Sequence, residues 1–251
     1  MLTITAARPD AAKLAVSGLF GKYKPEAERE VRKVEVTEDK VLEQLKAAWK
    51  KFTLCFDVGE ASHILFYPSM VELESTSYSA GDVEKLSIAI AEFEHRAAFS
   101  MMMGPFLSVL INNGRDSDYV IHTGHLTKEL HYLGYENTKS ITVIGNVGDY
   151  LGYVMKGGSI TVNGNAASEV GCQMEGGTIT VNGNAWQHLG AGMGGGSIIV
   201  RGNAGKEVGA NFWGKTEMVG GEIHLEGDYE SLGQDIRGGK IYHKGVLIVD
   251  K

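Results

Sequence analysis

Proline is scarce in this chain, and it disappears altogether past Pro105: the others are Pro9, Pro25 and Pro68. Cysteine is scarcer still, with Cys55 and Cys172 far apart in the sequence. Two such thiols build no disulfide framework, and they suit a reducing compartment, so a cytoplasmic location is expected. Their plain reading is two buried or half-buried thiols without chemistry. A basic excess is missing too. Lys and Arg total 24 against 31 Asp and Glu, a formal charge of -7. That balance argues against a nucleic-acid groove or an anionic membrane surface as partner. Nor is there an export signal to be read between Met1 and Lys13, where Arg8, Asp10 and Lys13 interrupt any apolar run. Hydrophobic residues at 43% and charged ones at 22% nevertheless describe a globular protein, and 251 residues can bury one large core or two ordinary ones.

Glycine is what the chain has, and it is unevenly spread: 26 of the 34 glycines fall at or after Gly145. Such a shift in composition divides the chain into a small α+β capping domain, residues 1–117, and a repeat domain, residues 118–251. The repeat is explicit. Segments opening at Ser140, Ser159, Thr178 and Ser197 read SITVIGNVGDYLGYVMKGG, SITVNGNAASEVGCQMEGG, TITVNGNAWQHLGAGMGGG and SIIVRGNAGKEVGANFWGK, each 19 residues after the last. Glu222 opens the next copy after an insertion (NFWGKTEMV), and Lys240 a short final coil, KIYHKGVLIVDK; a worn copy from Tyr119 to Tyr135 precedes the series. About seven coils result.

Each copy has the same physical logic. Ile-Thr-Val alternates apolar, polar and apolar, which marks a short strand with one buried face. The Gly-Asn pair that follows (Gly164-Asn165, for example) is turn chemistry that allows a positive φ, and stacked Asn side chains can bond along the column. A small residue comes next, then Leu or Val directly before Gly, then Met155, Met174 or Met193, and a Gly-Gly corner returns the chain. One coil cannot bury these residues alone. Stacking at about 4.8 Å per coil gives a parallel β-helix roughly 30 Å long.

In the N-terminal part, residues 37–52 have helix spacing with Thr37 as N-cap. Residues 53–58 and 63–67 read as strands, 82–103 as a second helix ended by Gly104-Pro105, and 106–111 as a further strand. Covering the open end of the β-helix is the simplest role for this unit.

Candidate chemistry is thin. His122, His125 and His131 with Glu129 are the best metal candidates, but their spacing fits no zinc signature and solvated polar residues are the plainer reading. The Gly-x-Gly strings recur at every turn, so structure accounts for them without a phosphate. Asp149, Glu169, Glu207 and Glu230 form no paired-carboxylate row, with His188 in the third coil's place. No catalytic residue, cofactor site or metal site is therefore assigned. Trp186, Phe212 and Trp213 are large aromatics that regular stacking does not require, and they are candidate partner contacts. Leu247 and Ile248, in an apolar strand with no coil expected beyond it, are two more.

The run from Ser140 to Gly239, with its GNxxxxxG steps and Gly-Gly corners, resembles the GXGXG-repeat family. That family includes the C-terminal β-helix of the glutamate synthase large subunit and the β-helical subunit of formylmethanofuran dehydrogenase. The coil with the aromatic-Gly insertion at residues 211–221 is more similar to the formylmethanofuran dehydrogenase member. The resemblance implies a β-helix without catalytic residues of its own, docking the catalytic subunits of an oxidoreductase or formyltransferase complex. Other protein subunits are then the expected partners. Two different readings stand beside it: a stand-alone enzyme or ligand-binding β-helix with its site in the groove around His188 and Trp186 or at the histidines near His122, and a homo-oligomer whose partners are its own copies.

Overall fold

The computed structural model describes residues 39–54, 77–210, 217–234 and 236–251, all within one compact unit, Asp39–Lys251. Among the described residues three helices precede the repeat: α1 (Lys40–Leu54), α2 (Ala80–Ala89, continued by a 3-10 turn, Ile90–Phe93) and α3 (Phe99–Asn113). Eight strands follow in one sheet whose spatial order is the chain order: β1 (Asp118–His122), β2 (Ser140–Ile144), β3 (Ser159–Asn163), β4 (Thr178–Val181), β5 (Ser197–Val200), β6 (Val219–Leu225), β7 (Gly238–His243) and β8 (Val246–Asp250). Strands β1 to β7 pair in parallel. Seven parallel strands, one per coil, delimit about six turns, and the chain is a helix-capped β-solenoid.

The register follows from the side chains. Ile141, Ile160, Ile179, Ile198, Ile223 and Ile241 align across the strands, as do Val143, Val162, Val181, Val200 and Leu225. All eleven are at most 1% exposed, while Thr161 and Thr180 stay at the half-buried outer face and Lys156 is exposed. Met155, Met174 and Met193 form a third buried column, which Met218 extends. Each methyl sits where the second corner glycine of the following coil would carry a Cβ, as Met155 Cε does under Gly177 at 2.7 Å. A flexible thioether thus closes the space that the corner leaves.

The Gly-Asn turn uses the freedom of its glycine at one coil only. Among these pairs only Gly145 has a positive φ, of 125°. The glycine is needed for space: a Cβ on Gly164 would lie 2.3 Å from the Gly145 carbonyl oxygen of the coil below. The asparagine ladder does form. Asn146, Asn165 and Asn184 each accept, through Oδ1, the backbone N–H of the next coil's asparagine at 2.8 Å, and Asn203 accepts that of Asp228 at 3.0 Å.

Two elements depart from the sequence reading. Residues 106–111 are helical, not a strand, because α3 runs through Pro105 to Asn113. Its apolar residues are buried nearly all round, and a short continuous apolar run carries no periodicity to separate helix from strand. The helix expected over 82–103 accordingly breaks at the 3-10 turn. The final segment is no coil but a hairpin: β8 returns antiparallel to β7 through Lys244 and Gly245, whose φ values of 50° and 77° suit a two-residue primed turn. The strand expected from residue 53 gives way to the end of α1 at Thr53 and Leu54. Residues 55–76, including the strand expected over 63–67, and the expected cap Thr37 lie outside the described residues. Asp39 occupies the N-cap position of α1, its Oδ1 accepting the Leu42 N–H at 3.2 Å.

Helices and coils share one apolar core. Trp49 of α1 meets Phe106 of α3 edge-on at 5.4 Å. The helix α3 approaches the first coil so closely that a Cβ on Gly104 would overlap the His131 carbonyl, at 1.9 Å. Ser108 Oγ accepts the N–H groups of Gly134 and Tyr135 at 2.8 and 3.2 Å, and Ser87 Oγ accepts that of His122 at 3.0 Å. Among the described residues no coil lies below the first to supply these acceptors; serines on helices supply them instead.

Candidate functional site

A groove runs along the solenoid where each coil leaves its Gly-Asn turn. Its floor is a second, narrow parallel ladder in which Val147, Ala166, Ala185, Ala204 and Tyr229 bridge from coil to coil. One wall is the asparagine ladder. The groove widens into two cavities of about 560 and 430 Å³, within the size range of small-ligand sites. Trp186 lines both and is 66% exposed. The residues aligned with it in the adjoining coils are Ala167 and Gly205, so the indole rises alone from small neighbours. Polar ends flank it: Glu129 and Asp149 in the larger cavity, and Lys206, 3.8 Å from Glu230, in the smaller.

At the head of the groove Glu94 fixes the first coil. Its carboxylate accepts the backbone N–H groups of Lys128 and Thr127 at 3.0 and 2.7 Å and the Thr127 hydroxyl at 2.9 Å. Those bonds, that from the Lys128 backbone first, hold it below the usual carboxylate range.

A second cluster occupies the corner just before each Leu/Val-Gly step. Tyr132, Tyr150, Glu169, His188 and Glu207 succeed one another there with φ between 57° and 62°, the left-handed region that costs side-chain-bearing residues roughly 1–2 kcal/mol. Neighbouring coils hold them in it. The rings of Tyr132 and Tyr150 stack at 4.5 Å and 2°, and the Tyr150 hydroxyl donates to Glu169 Oε1 at 3.1 Å. His188 is buried, with Nδ1 3.2 Å from the Ala210 carbonyl and 3.3 Å from Glu207 Oε2. Cys172, 3% exposed, lies in the next column. Burial, and then the nearby Glu169 carboxylate, push its thiol well above the usual range. Burial likewise raises the Tyr132 hydroxyl to about 12 and the Tyr150 hydroxyl further.

The Cys172 thiol and the two tyrosine hydroxyls are therefore neutral at physiological pH, and the thiol is no nucleophile. The linkage has one sign. Between the ordinary and the raised pKa the unfolded chain has lost a proton that the folded chain keeps, so stability falls as pH rises. Loss should begin near pH 9, the ordinary thiol value. A thiol-alkylating reagent should leave Cys172 unmodified in the native protein at pH 8 and label it in urea, and the urea midpoint should fall from pH 8 to pH 10. Native labelling of Cys172 at the unfolded rate would contradict the burial.

The residues singled out from sequence are placed apart. His122 Nε2 lies 2.9 Å from Glu84 Oε1. His131 Nδ1 accepts the Asp149 N–H at 2.9 Å, which makes it a member of the backbone ladder. Among the described residues no three His, Cys, Asp or Glu side chains converge as a metal site would require. Trp186 stands in the groove, and Leu247 and Ile248 lie in β8 at 43% and 38% exposure. Phe212 and Trp213 lie outside the described residues. The tyrosine corner was not singled out, although the residue before each Leu/Val-Gly step gave a signal: from Tyr132 to Glu207 it is large and never glycine. Among the described residues no helix is long and apolar enough to cross a membrane. No protein-family model, no curated protein and no solved structure matches this chain.

Proposed function

We propose that this protein is a non-catalytic docking subunit, a β-solenoid that holds other protein chains in a larger complex, as the resemblance to the GXGXG-repeat family implies. One observation carries the reading: the outer strand of the described sheet presents a bare apolar patch. Among the described residues strand β8 is paired only with β7, and a register shift opposite Ile241 and Tyr242 gives it one extra residue. Alternation is lost there, and Val246, Leu247 and Ile248 are exposed in succession, at 63%, 43% and 38%. Three adjacent large apolar side chains on a sheet edge are what a second chain covers. Elsewhere the repeated residues serve the stack itself, as column, ladder or corner, which agrees with a body that supports chemistry done by its partners. The test is purification of the tagged chain from native extract in wild-type and Leu247→Lys, Ile248→Lys forms. Wild type should carry a partner chain in fixed ratio and the double variant should lose it.

A further inference from the structure

The groove around Trp186 has a chemistry of its own, separate from the β8 patch. We propose that it binds a neutral, extended β-1,4-linked oligosaccharide laid along the solenoid axis, with Trp186 as the stacking platform for one sugar ring. Spacing is the first argument. Groove groups repeat once per coil, about 4.8 Å; an extended β-1,4-linked glycan turns alternate rings over, so its like-facing groups would meet every second coil, about 9.6 Å apart. An extended peptide also brings like-facing groups round every second residue, but at about 6.6–6.8 Å, which matches neither one coil nor two.

Hydrogen bonding is the second argument. The Oδ1 of Asn146, Asn165, Asn184 and Asn203 is taken by the coil above, which leaves each exposed amide its two Nδ2 donors. A row of donors at sugar spacing suits hydroxyl and ring oxygens, which accept. The third argument is the indole itself. It is exposed between two cavities and flanked by Ala167 and Gly205, so a ring can lie against it with its apolar C–H face. Charge supplies the fourth. The one lysine in these cavities, Lys206, stands 3.8 Å from Glu230, and Glu129 and Asp149 face the other cavity; an anionic polymer finds no cationic row here.

Calorimetry and tryptophan fluorescence on the isolated full chain test this with cellobiose, cellohexaose, xylohexaose and, as the anionic probe, hexagalacturonate. The neutral hexaoses should bind, and at least about tenfold more tightly than the disaccharide, because they span several coils. Trp186→Ala should weaken them about tenfold or more while Trp186→Phe keeps most of the affinity. Circular dichroism of both variants should match wild type, since the side chain is exposed. Absence of binding by every neutral hexaose at millimolar concentration, binding of hexagalacturonate alone, or binding indifferent to Trp186→Ala would each overturn the proposal. None of these outcomes bears on β8, so the docking reading stands or falls separately.

Discussion

Val181→Asp should unfold the protein, or leave it several kcal/mol less stable at neutral pH. Val181 is fully buried between Val162 below and Val200 above, and the column around it is aliphatic, with no cation to pair a carboxylate. Leaving a charge buried and unpaired costs about 3–5 kcal/mol, a large share of the roughly 5–15 kcal/mol that holds a domain together. In a solenoid the damage falls on two interfaces at once, since each coil is bound only by its neighbours. Thr180→Asp, one residue away on the outer face, should change stability by no more than about 0.5–1 kcal/mol. The buried Asp would have its pKa raised, so Val181→Asp should recover part of its stability as pH falls from neutral towards about 4, the ordinary carboxyl value, because the folded state takes up the proton first. Urea unfolding followed by circular dichroism reads all three comparisons. Equal midpoints for Val181→Asp and Thr180→Asp would mean that the strand faces are assigned the wrong way round.

The Gly-Gly corners give the second large effect, and the two glycines of one corner should differ sharply. Gly158 has a φ of 70°, and a Cβ built on it would lie 2.2 Å from the Lys139 carbonyl oxygen of the preceding coil. Gly157 has ordinary φ, and a Cβ there meets nothing within 4 Å. Gly158→Ala should therefore cost more than the roughly 1–2 kcal/mol of a left-handed residue, because backbone rather than a flexible side chain must move to admit the methyl. Gly157→Ala should be neutral or stabilise by about 0.4–1 kcal/mol, through a less mobile unfolded chain. Thermal melts of the two single variants decide it. A Gly158→Ala variant as stable as wild type would show that the corners do not set the coil's return path.

These two results test what was most legible in the sequence. The strand faces and the methionine column could be read because a 19-residue period aligns chemically identical positions, and only stacking gives each of them a use. The corner glycines were legible for the same reason. The Gly-Asn glycine was legible as a turn residue that allows a positive φ, yet Gly164 serves to clear a neighbouring carbonyl; the coil below, which one coil's sequence does not contain, imposes that need. Positive φ falls instead on residues such as Tyr150, Glu169 and His188, where local sterics disfavour it and only the stacked neighbours hold it. In α3 the apolar run around Pro105 carried no period to read, so tertiary burial decided its structure. At β8, residues matching strand chemistry continued the repeat on paper, but Lys244-Gly245 is long enough only for a hairpin. For the candidate site, Trp186 stood out as an aromatic at an Ala/Gly position. A groove around it and His188 was expected, but His188 is buried and lines neither cavity; the groove's course arises from the small residues of four coils lying side by side.

The docking role rests on β8, and the most direct measurement is the mass of the particle that the natively purified chain belongs to. Sedimentation velocity on wild type and on the Leu247→Lys, Ile248→Lys variant supplies it. Both lysines replace exposed side chains, so the variant should keep the wild-type melting behaviour. The expected result is a wild-type particle heavier than the 27.1 kDa chain, containing a partner in fixed ratio, and a variant that sediments as the single chain. A wild-type protein recovered from native extract as a monomer, or a variant that keeps its full complement of partners, would contradict the account.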